Sequence, residues 1–233
     1  MLAIIQARCS SQRFANKILT MIYGKPLIKH VISRVQKAKK ITMIVVATSK
    51  NKSDDKLVEY LKKIKVQYYR GNLNNVAQRI VDTAEYKKKL YFLRINGDSP
   101  LIDPDVIDKA ISIFKKNKNY DLISNVFPRT FPKGQSVEII RTKVLKKYLK
   151  NMNKFDKEHV TQYFYKNSEI FLIKNFVSKR KNKLIKTAID SKRDLVNILK
   201  NIKKNEFENY SIFKSWLKQQ LLALELAWNT SRQ

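Results

Sequence analysis

Arg8, Arg13 and Lys17 lie within ten residues of one another, with Ser10 and Ser11 between them, directly after the apolar run LAIIQA at 2–7. Cations, hydroxyls and backbone N–H groups in a loop at a strand end are what a triphosphate needs. Arginine grips phosphate oxygens bidentately and lysine adds a compact charge. A second candidate is 94–102, RINGDSPLI, where a strand runs into Gly97-Asp98 and then a proline. Asp98 is placed there to hold Mg²⁺ through its carboxylate, with water and phosphate oxygens completing the shell. It serves equally well as a turn residue bonded to its own backbone. A third candidate, TAID at 187–190, again ends in a carboxylate, Asp190. Two carboxylates from separate strand ends could share one metal, whereas Ser191 and Asp194 read as helix caps. The fourth is EHVT at 158–161. There His159, beside Glu158, reads as a base, a substrate ligand or a hydrogen-bonded structural histidine. His30 falls on the polar side of its helix and reads as surface. Cys9 is a lone thiol without a partner base and reads as structural.

These groups are positioned by alternating strands and helices. Short apolar runs at 2–7, 44–47, 66–69 and 90–95 read as buried strands. Helical spacing marks 26–38, with Pro26 at its start, then 53–64 with Ser53 as cap, 76–86 and 105–114. Such an order predicts an α/β fold, a mostly parallel sheet with helices on both faces. Ligands in such sheets bind outside the carboxyl ends of the strands, where the Arg8 and Asp98 loops fall. The second half is more mixed. Strands are expected at 121–124, 136–140, 171–173 and 184–189, and helices at 142–149, 157–165 and 192–202, added to the same sheet.

Composition narrows the classes. The 233 residues suit one generous α/β domain, and four glycines and five prolines leave no flexible linker. A single cysteine excludes a disulfide framework and a cysteine-rich metal site. No apolar run reaches the ~18 residues that cross a bilayer. Residues 1–7 lack the charged start of a signal peptide, so the expected location is cytoplasmic. The net charge of +30 raises nucleic-acid binding as an alternative. The lysines are nevertheless spread along the whole chain, from Lys37, Lys39 and Lys40 to Lys203 and Lys204. They form no aromatic-interleaved motif, so they read as solvated surface plus a polyanionic small substrate, with no specific nucleic acid and no membrane as partner.

Taken in order, Ala3-Ile4-Ile5-Gln6-Ala7-Arg8, then Ser11, Arg13 and Lys17, then Gly24-Lys25-Pro26-Leu27 resemble the cytidylyltransferases that make CMP-activated acidic sugars. The nearer branch is the one named after spore-coat polysaccharide biosynthesis protein F; CMP-Kdo and CMP-sialic acid synthetases are more distant. The resemblance continues through Arg70-Gly71, Arg79, residues 94–104, Ser124-Asn125, Pro132 with Gly134, Val137-Glu138, residues 158–161 and Asp190 with Asp194-Leu195. It covers roughly residues 1–202. It departs where the family's loop carries Gly, Leu, Pro and Gly and this chain has Ser10, Phe14, Ala15 and Asn16, and where Asn75 stands for an Asp. Asn16 can still adopt the left-handed backbone that glycine favours.

The resemblance implies a Rossmann-like nucleotidyltransferase that transfers CMP from CTP to an acidic 2-keto sugar and releases pyrophosphate, for surface polysaccharide biosynthesis. It implies a nucleotide site of Gln6, Ala7, Arg8, Ser11, Arg13, Lys17, Asn75, Arg79, Asn96 and Asp98. Of these, Arg8, Arg13, Lys17 and Asp98 are catalytic. Asp98 and Asp190 would bind Mg²⁺, and Asn125, Glu138, Glu158 and His159 would face the sugar. Two alternatives remain: a non-sugar acceptor such as a phosphonate or polyol phosphate, and a basic non-enzymatic nucleic-acid-binding protein. The transferase domain is expected over 1–205. Residues 206–233 are read as a helical extension whose apolar face, with Ile212, Phe213, Trp216 and Leu217, packs on the core or on a second copy in a homodimer.

Overall fold

The structure, a computed structural model, describes residues 1–11, 13–178 and 186–209. Residues 210–233 of the expected 206–233 extension therefore lie outside the described residues, as do residues 184 and 185 of the expected 184–189 strand, whose remainder forms no strand and holds only an isolated bridge from Lys186 to Lys133.

Seven strands form one sheet in the order β5-β4-β1-β6-β8-β7-β9. Strands β1 (Leu2–Gln6), β4 (Met43–Ser49), β5 (Gln67–Gly71) and β6 (Tyr91–Asn96) are mutually parallel. The chain winds outward from β1 in both directions, to β4 on one side and β6 on the other. A crevice opens at such a switch point, at the carboxyl ends of β1 and β6. β8 (Glu138–Arg141) runs antiparallel to both β6 and β7 (Leu122–Ser124), and β9 (Ile173–Asn175) closes the edge parallel to β7. The second half thus extends the same sheet.

Alternation along the strands divides the core. Ala3 and Ile5 of β1 pack with α1 (Leu27–Gln36), α2 (Asp55–Lys63) and α4 (Pro104–Lys116) on one face. Leu2 and Ile4 pack with α3 (Val76–Tyr86), α5 (Thr142–Tyr148) and α7 (Gln162–Lys166) on the other. Both faces are covered, as a parallel sheet requires.

Several expectations are revised locally. Asn51, not Ser53, caps the turn before α2; its side chain accepts the Ser53 amide. The expected 157–165 helix is two, α6 (Lys154–His159) and α7, separated by Val160 at φ 58°. That backbone is costly for a β-branched residue, and it leaves Glu158 and His159 at a helix end. His30 is buried, not surface: its ring contacts the Ile22 carbonyl at 2.9 Å and packs edge-on against Phe207 of α9 (Lys204–Glu208). The polar side of α1 is covered because α9 folds over it, with Arg34 donating to the Phe207 carbonyl. A small hairpin, β2 (Met21–Ile22) with β3 (Lys25–Pro26), follows the first loop. Ser191 and Asp194 form a full capping box at the start of α8 (Lys192–Asn201). No helix among the described residues is long and apolar enough to cross a membrane.

Candidate active site

The first loop leaves β1 after Gln6 and is closed at its neck by Cys9, whose carbonyl accepts the amides of Ser11 at 2.9 Å and Asn16 at 3.0 Å. Asn16 takes the expected left-handed backbone, φ 53°, and feeds the short 3₁₀ turn Lys17–Leu19. Lys17 is 8% exposed, and its ammonium donates to Asp98 at 3.0 Å and lies 3.8 Å from Asp190. Arg13 stays open to solvent, 4.0 Å from Asp190. The Cys9 thiol is pushed up to about 12 by burial and then by the neighbouring Asp54 charge, so it is protonated at neutral pH and no nucleophile.

Two close backbone approaches bring the carboxylates together. The Gly97 amide donates to the Gln6 carbonyl at 2.9 Å, and a Cβ on Gly97 would stand 2.7 Å from that oxygen. Only glycine lets the Asp98 turn sit against the end of β1. The Asp190 segment is drawn in by the Ile189 amide, which donates to the Asp98 carbonyl at 2.9 Å. Behind it, Gly134 at φ 101° lets the chain pass Thr187 and Ala188, and the Gln135 side-chain Nε2 donates to both the Leu101 carbonyl and the Thr187 hydroxyl. Burial alone would raise the Asp190 carboxyl. The Lys186 hydrogen bond and the charges of Lys17, Lys186 and Arg13 outweigh it and hold the group below the usual carboxylate range.

The opposite wall comes from the turn after β5 and from α6. Arg8 donates to Glu158 at 2.7 Å and to the Leu73 carbonyl at 3.3 Å. Arg79, 1% exposed, donates to the Asn72 carbonyl at 2.6 Å; burial and then the Arg8 charge bring its guanidinium down to about 10. His159 packs on Phe155 with ring centroids 4.2 Å apart.

A cleft of about 770 Å³ lies between these walls, within the range of small-molecule sites. It is lined by the expected Gln6, Ala7, Arg8, Ser11, Arg13, Lys17, Arg79, Asn96, Asp98, Glu158, His159 and Asp190. Six cations, with Arg94 and Lys154 added, face three carboxylates, so the cleft suits a polyanion. Three buried polar atoms of its lining residues have no hydrogen-bond partner, Ser10 Oγ, Asn96 Oδ1 and Arg79 Nε.

The cleft lining does not include Asn75, Asn125 or Glu138. Asn75 caps α3, accepting the Gln78 amide at 2.9 Å. Asn125 is spent on backbone, donating to the Gln135 carbonyl at 2.7 Å and accepting the Val137 amide at 2.9 Å. Glu138 is buried in a network, accepting from Arg94, from the Thr161 hydroxyl at 2.8 Å and from the Tyr165 hydroxyl at 2.7 Å. Sequence reasoning placed Ser10 and Arg94 inside candidate segments without assigning either a role, and it did not single out Leu73 or Lys154. Arg94 carried a signal, a lone cation inside an otherwise apolar strand; Lys154 carried none.

The donor set fits Mg²⁺. Among the described residues no three acidic, histidine or cysteine side chains cluster as a self-sufficient metal cage. Two carboxylates sharing one ammonium, with room for phosphate and water, are instead the sparse protein contribution that this ion takes at phosphate sites.

Residues 2–226 match the family profile described as Cytidylyltransferase. The spore coat polysaccharide biosynthesis protein SpsF of Bacillus subtilis (strain 168) is 27% identical over 206 residues, covering 84% of this chain and 84% of that protein. The 3-deoxy-manno-octulosonate cytidylyltransferase of Geotalea daltonii is 34% identical over 112 residues, 47% of this chain and 43% of that protein. A solved cytidylyltransferase structure from Leptospira borgpetersenii serovar Hardjo-bovis superposes with a TM-score of 0.84 at 27% identity, covering 94% of this chain and 93% of that one. A match over nearly the whole length, on a Rossmann-like sheet with its crevice at the switch point, shows that the chain belongs to the cytidylyltransferase family and is a CTP-dependent nucleotidyltransferase.

Proposed function

We propose that this protein transfers CMP from CTP to an acidic 2-keto sugar, releasing pyrophosphate, in the synthesis of a surface polysaccharide. The observation that carries the reading is the Lys17 ammonium, which gathers Asp98 and Asp190 at the mouth of a net-positive cleft. The name of the Geotalea relative, a 3-deoxy-manno-octulosonate cytidylyltransferase, supports the acceptor class, and that of the Bacillus relative supports a role in polysaccharide synthesis.

In this reading Arg8, Arg13 and Lys17 hold the triphosphate, with Ser11 and the end of β1, Gln6 and Ala7, beneath it. Asn96, Arg79 and the start of α3, capped by Asn75, flank the nucleoside. Asp98 and Asp190 hold Mg²⁺. Bound Mg²⁺ supplies charge neutralisation at the phosphates. The sugar hydroxyl oxygen bonds the α-phosphorus, its proton passes to solvent, and the bond to pyrophosphate breaks. The protein's own share is positioning and electrostatic stabilisation, since such transfers ask little covalent chemistry of side chains. Glu158 and His159 face the acceptor, His159 as ligand rather than base. Glu138 and Asn125 act one step back, Glu138 by orienting Arg94 and Asn125 by bracing 135–137.

The test is pyrophosphate release with each of the four nucleoside triphosphates against a panel of 2-keto sugar acids, their neutral parent sugars, a phosphonate and a polyol phosphate. Release with CTP and a sugar acid alone is expected. Release with every triphosphate alike, or only with the phosphonate or polyol phosphate, would overturn the reading.

A further inference from the structure

Asp54 is fully buried, yet it lies outside the cleft lining and belongs to none of the motifs considered above. It ends the short 3₁₀ turn Lys52–Asp54 that follows β4. One carboxylate oxygen accepts the Cys9 amide at 2.6 Å. The other accepts the Ser49 amide at 3.0 Å and the Ser49 hydroxyl.

Cys9 is the neck of the phosphate loop. Its carbonyl already closes the loop through Ser11 and Asn16, so the Asp54 bond fixes the same residue from the amide side. Ser10, the next residue, lines the cleft and carries one of the unpartnered buried polar atoms. A rotation at Cys9 would therefore move Ser10 and, through the loop, Arg13 and Lys17.

The chemistry of the three donors explains why a carboxylate stands here. Two are backbone N–H groups, and the hydroxyl has its own lone pair engaged by the Asn51 amide at 3.2 Å. Three donors converging on one side chain need two acceptor oxygens, which an ionised carboxyl has and an amide lacks. A buried charge held this way is costly to strand and rigid when satisfied.

We propose that Asp54 is a positioning residue for CTP: by locking the Cys9 amide it sets the loop that seats the triphosphate. The proposal rests on the assignment of loop 8–17 to the phosphates. It predicts that Asp54 bears on the nucleotide and not on the acceptor.

The experiment compares wild type, Asp54→Asn, Ser49→Ala and Arg13→Ala in steady-state kinetics varied in each substrate, with the melting temperature recorded with and without CTP. Asp54→Asn is expected to lose roughly tenfold or more in kcat/KM for CTP, with an unchanged acceptor KM and a smaller CTP-induced thermal shift. A lower melting temperature for Asp54→Asn with CTP kinetics intact per folded enzyme would overturn the proposal, because the residue would then be only structural. Should Asp54→Asn not fold, Ser49→Ala decides. A loss of about threefold or more in kcat/KM for CTP supports the proposal, and unchanged CTP kinetics overturn it. If Arg13→Ala binds CTP as wild type does, the phosphate-loop assignment itself fails and the proposal falls with it. Failure of Asp54→Asn alone leaves that assignment standing.

Discussion

The amide of Ile189 donates to the carbonyl of Asp98 at 2.9 Å. This backbone bond joins the turn after β6 to a segment some ninety residues on. It is why two carboxylates distant in the chain, Asp98 and Asp190, meet at one ammonium, Lys17. The bond needs no particular side chain at position 189; what it needs is room for the segment to approach.

Gly134 provides that room. A Cβ there would lie 2.5 Å from the Ala188 amide nitrogen, and the φ of 101° is itself unfavourable for any L side chain. Gly134→Ala is expected to cost about 1–3 kcal/mol. That corresponds to a fall of roughly 2–4 °C in Tm per kcal/mol for a chain of this size. The variant also displaces Asp190 and lowers kcat. Thermal denaturation and kcat measured together check this, and a variant normal in both would contradict the packing described.

Asp98→Asn is expected to abolish turnover with the fold intact. The amide has the shape of the carboxylate but not the charge that attracts Mg²⁺ and engages Lys17. Circular dichroism with kcat at millimolar Mg²⁺ checks it; near-normal kcat would reduce Asp98 to a turn residue.

Arg13→Ala tests the other half of the loop. Arg13 is largely solvent-exposed and contributes little to the fold. A charge-assisted phosphate contact is worth about 1.5–3 kcal/mol, so kcat/KM for CTP is expected to fall roughly ten- to a hundredfold at unchanged Tm. Unchanged CTP kinetics would move the triphosphate away from this loop.

Acid stability reports on the cations around Asp190. Asp190 and Asp194 are both held below the usual carboxylate range: burial opposes the shift, but the shared Lys186 hydrogen bond and neighbouring charges overcome it. A carboxyl with a depressed folded pKa adds stability above its unfolded value, about 3.9, and loses it as pH falls through the folded value. Wild type should therefore be more stable than Lys186→Met above about pH 4 and lose that advantage below it. Tm profiles that stay parallel in acid would contradict the pairing.

How much of this was legible in sequence depended on whether the signal was local. The helix expected at 76–86 is α3, and the Ser191–Asp194 spacing gives the observed capping box, because turn and cap chemistry are carried by neighbouring residues. Asn16 was readable as the left-handed hinge for the same reason. His30 was not readable, since its burial depends on Phe207 arriving from α9. The break at Val160 carries no glycine or proline to announce it. In the site, the loops were visible because strand ends carried unusual charge. The Arg8–Glu158 pair, the diversion of Glu138 to Arg94 and the Asp54 clamp are contacts between distant segments that no spacing encodes.

The most direct test follows the α-phosphorus. With CTP labelled at that phosphorus, a 2-keto sugar acid and Mg²⁺, label is expected in a CMP–sugar product with unlabelled pyrophosphate released, and neither should form without acceptor. Label recovered only as free CMP, or release independent of the sugar, would contradict the account.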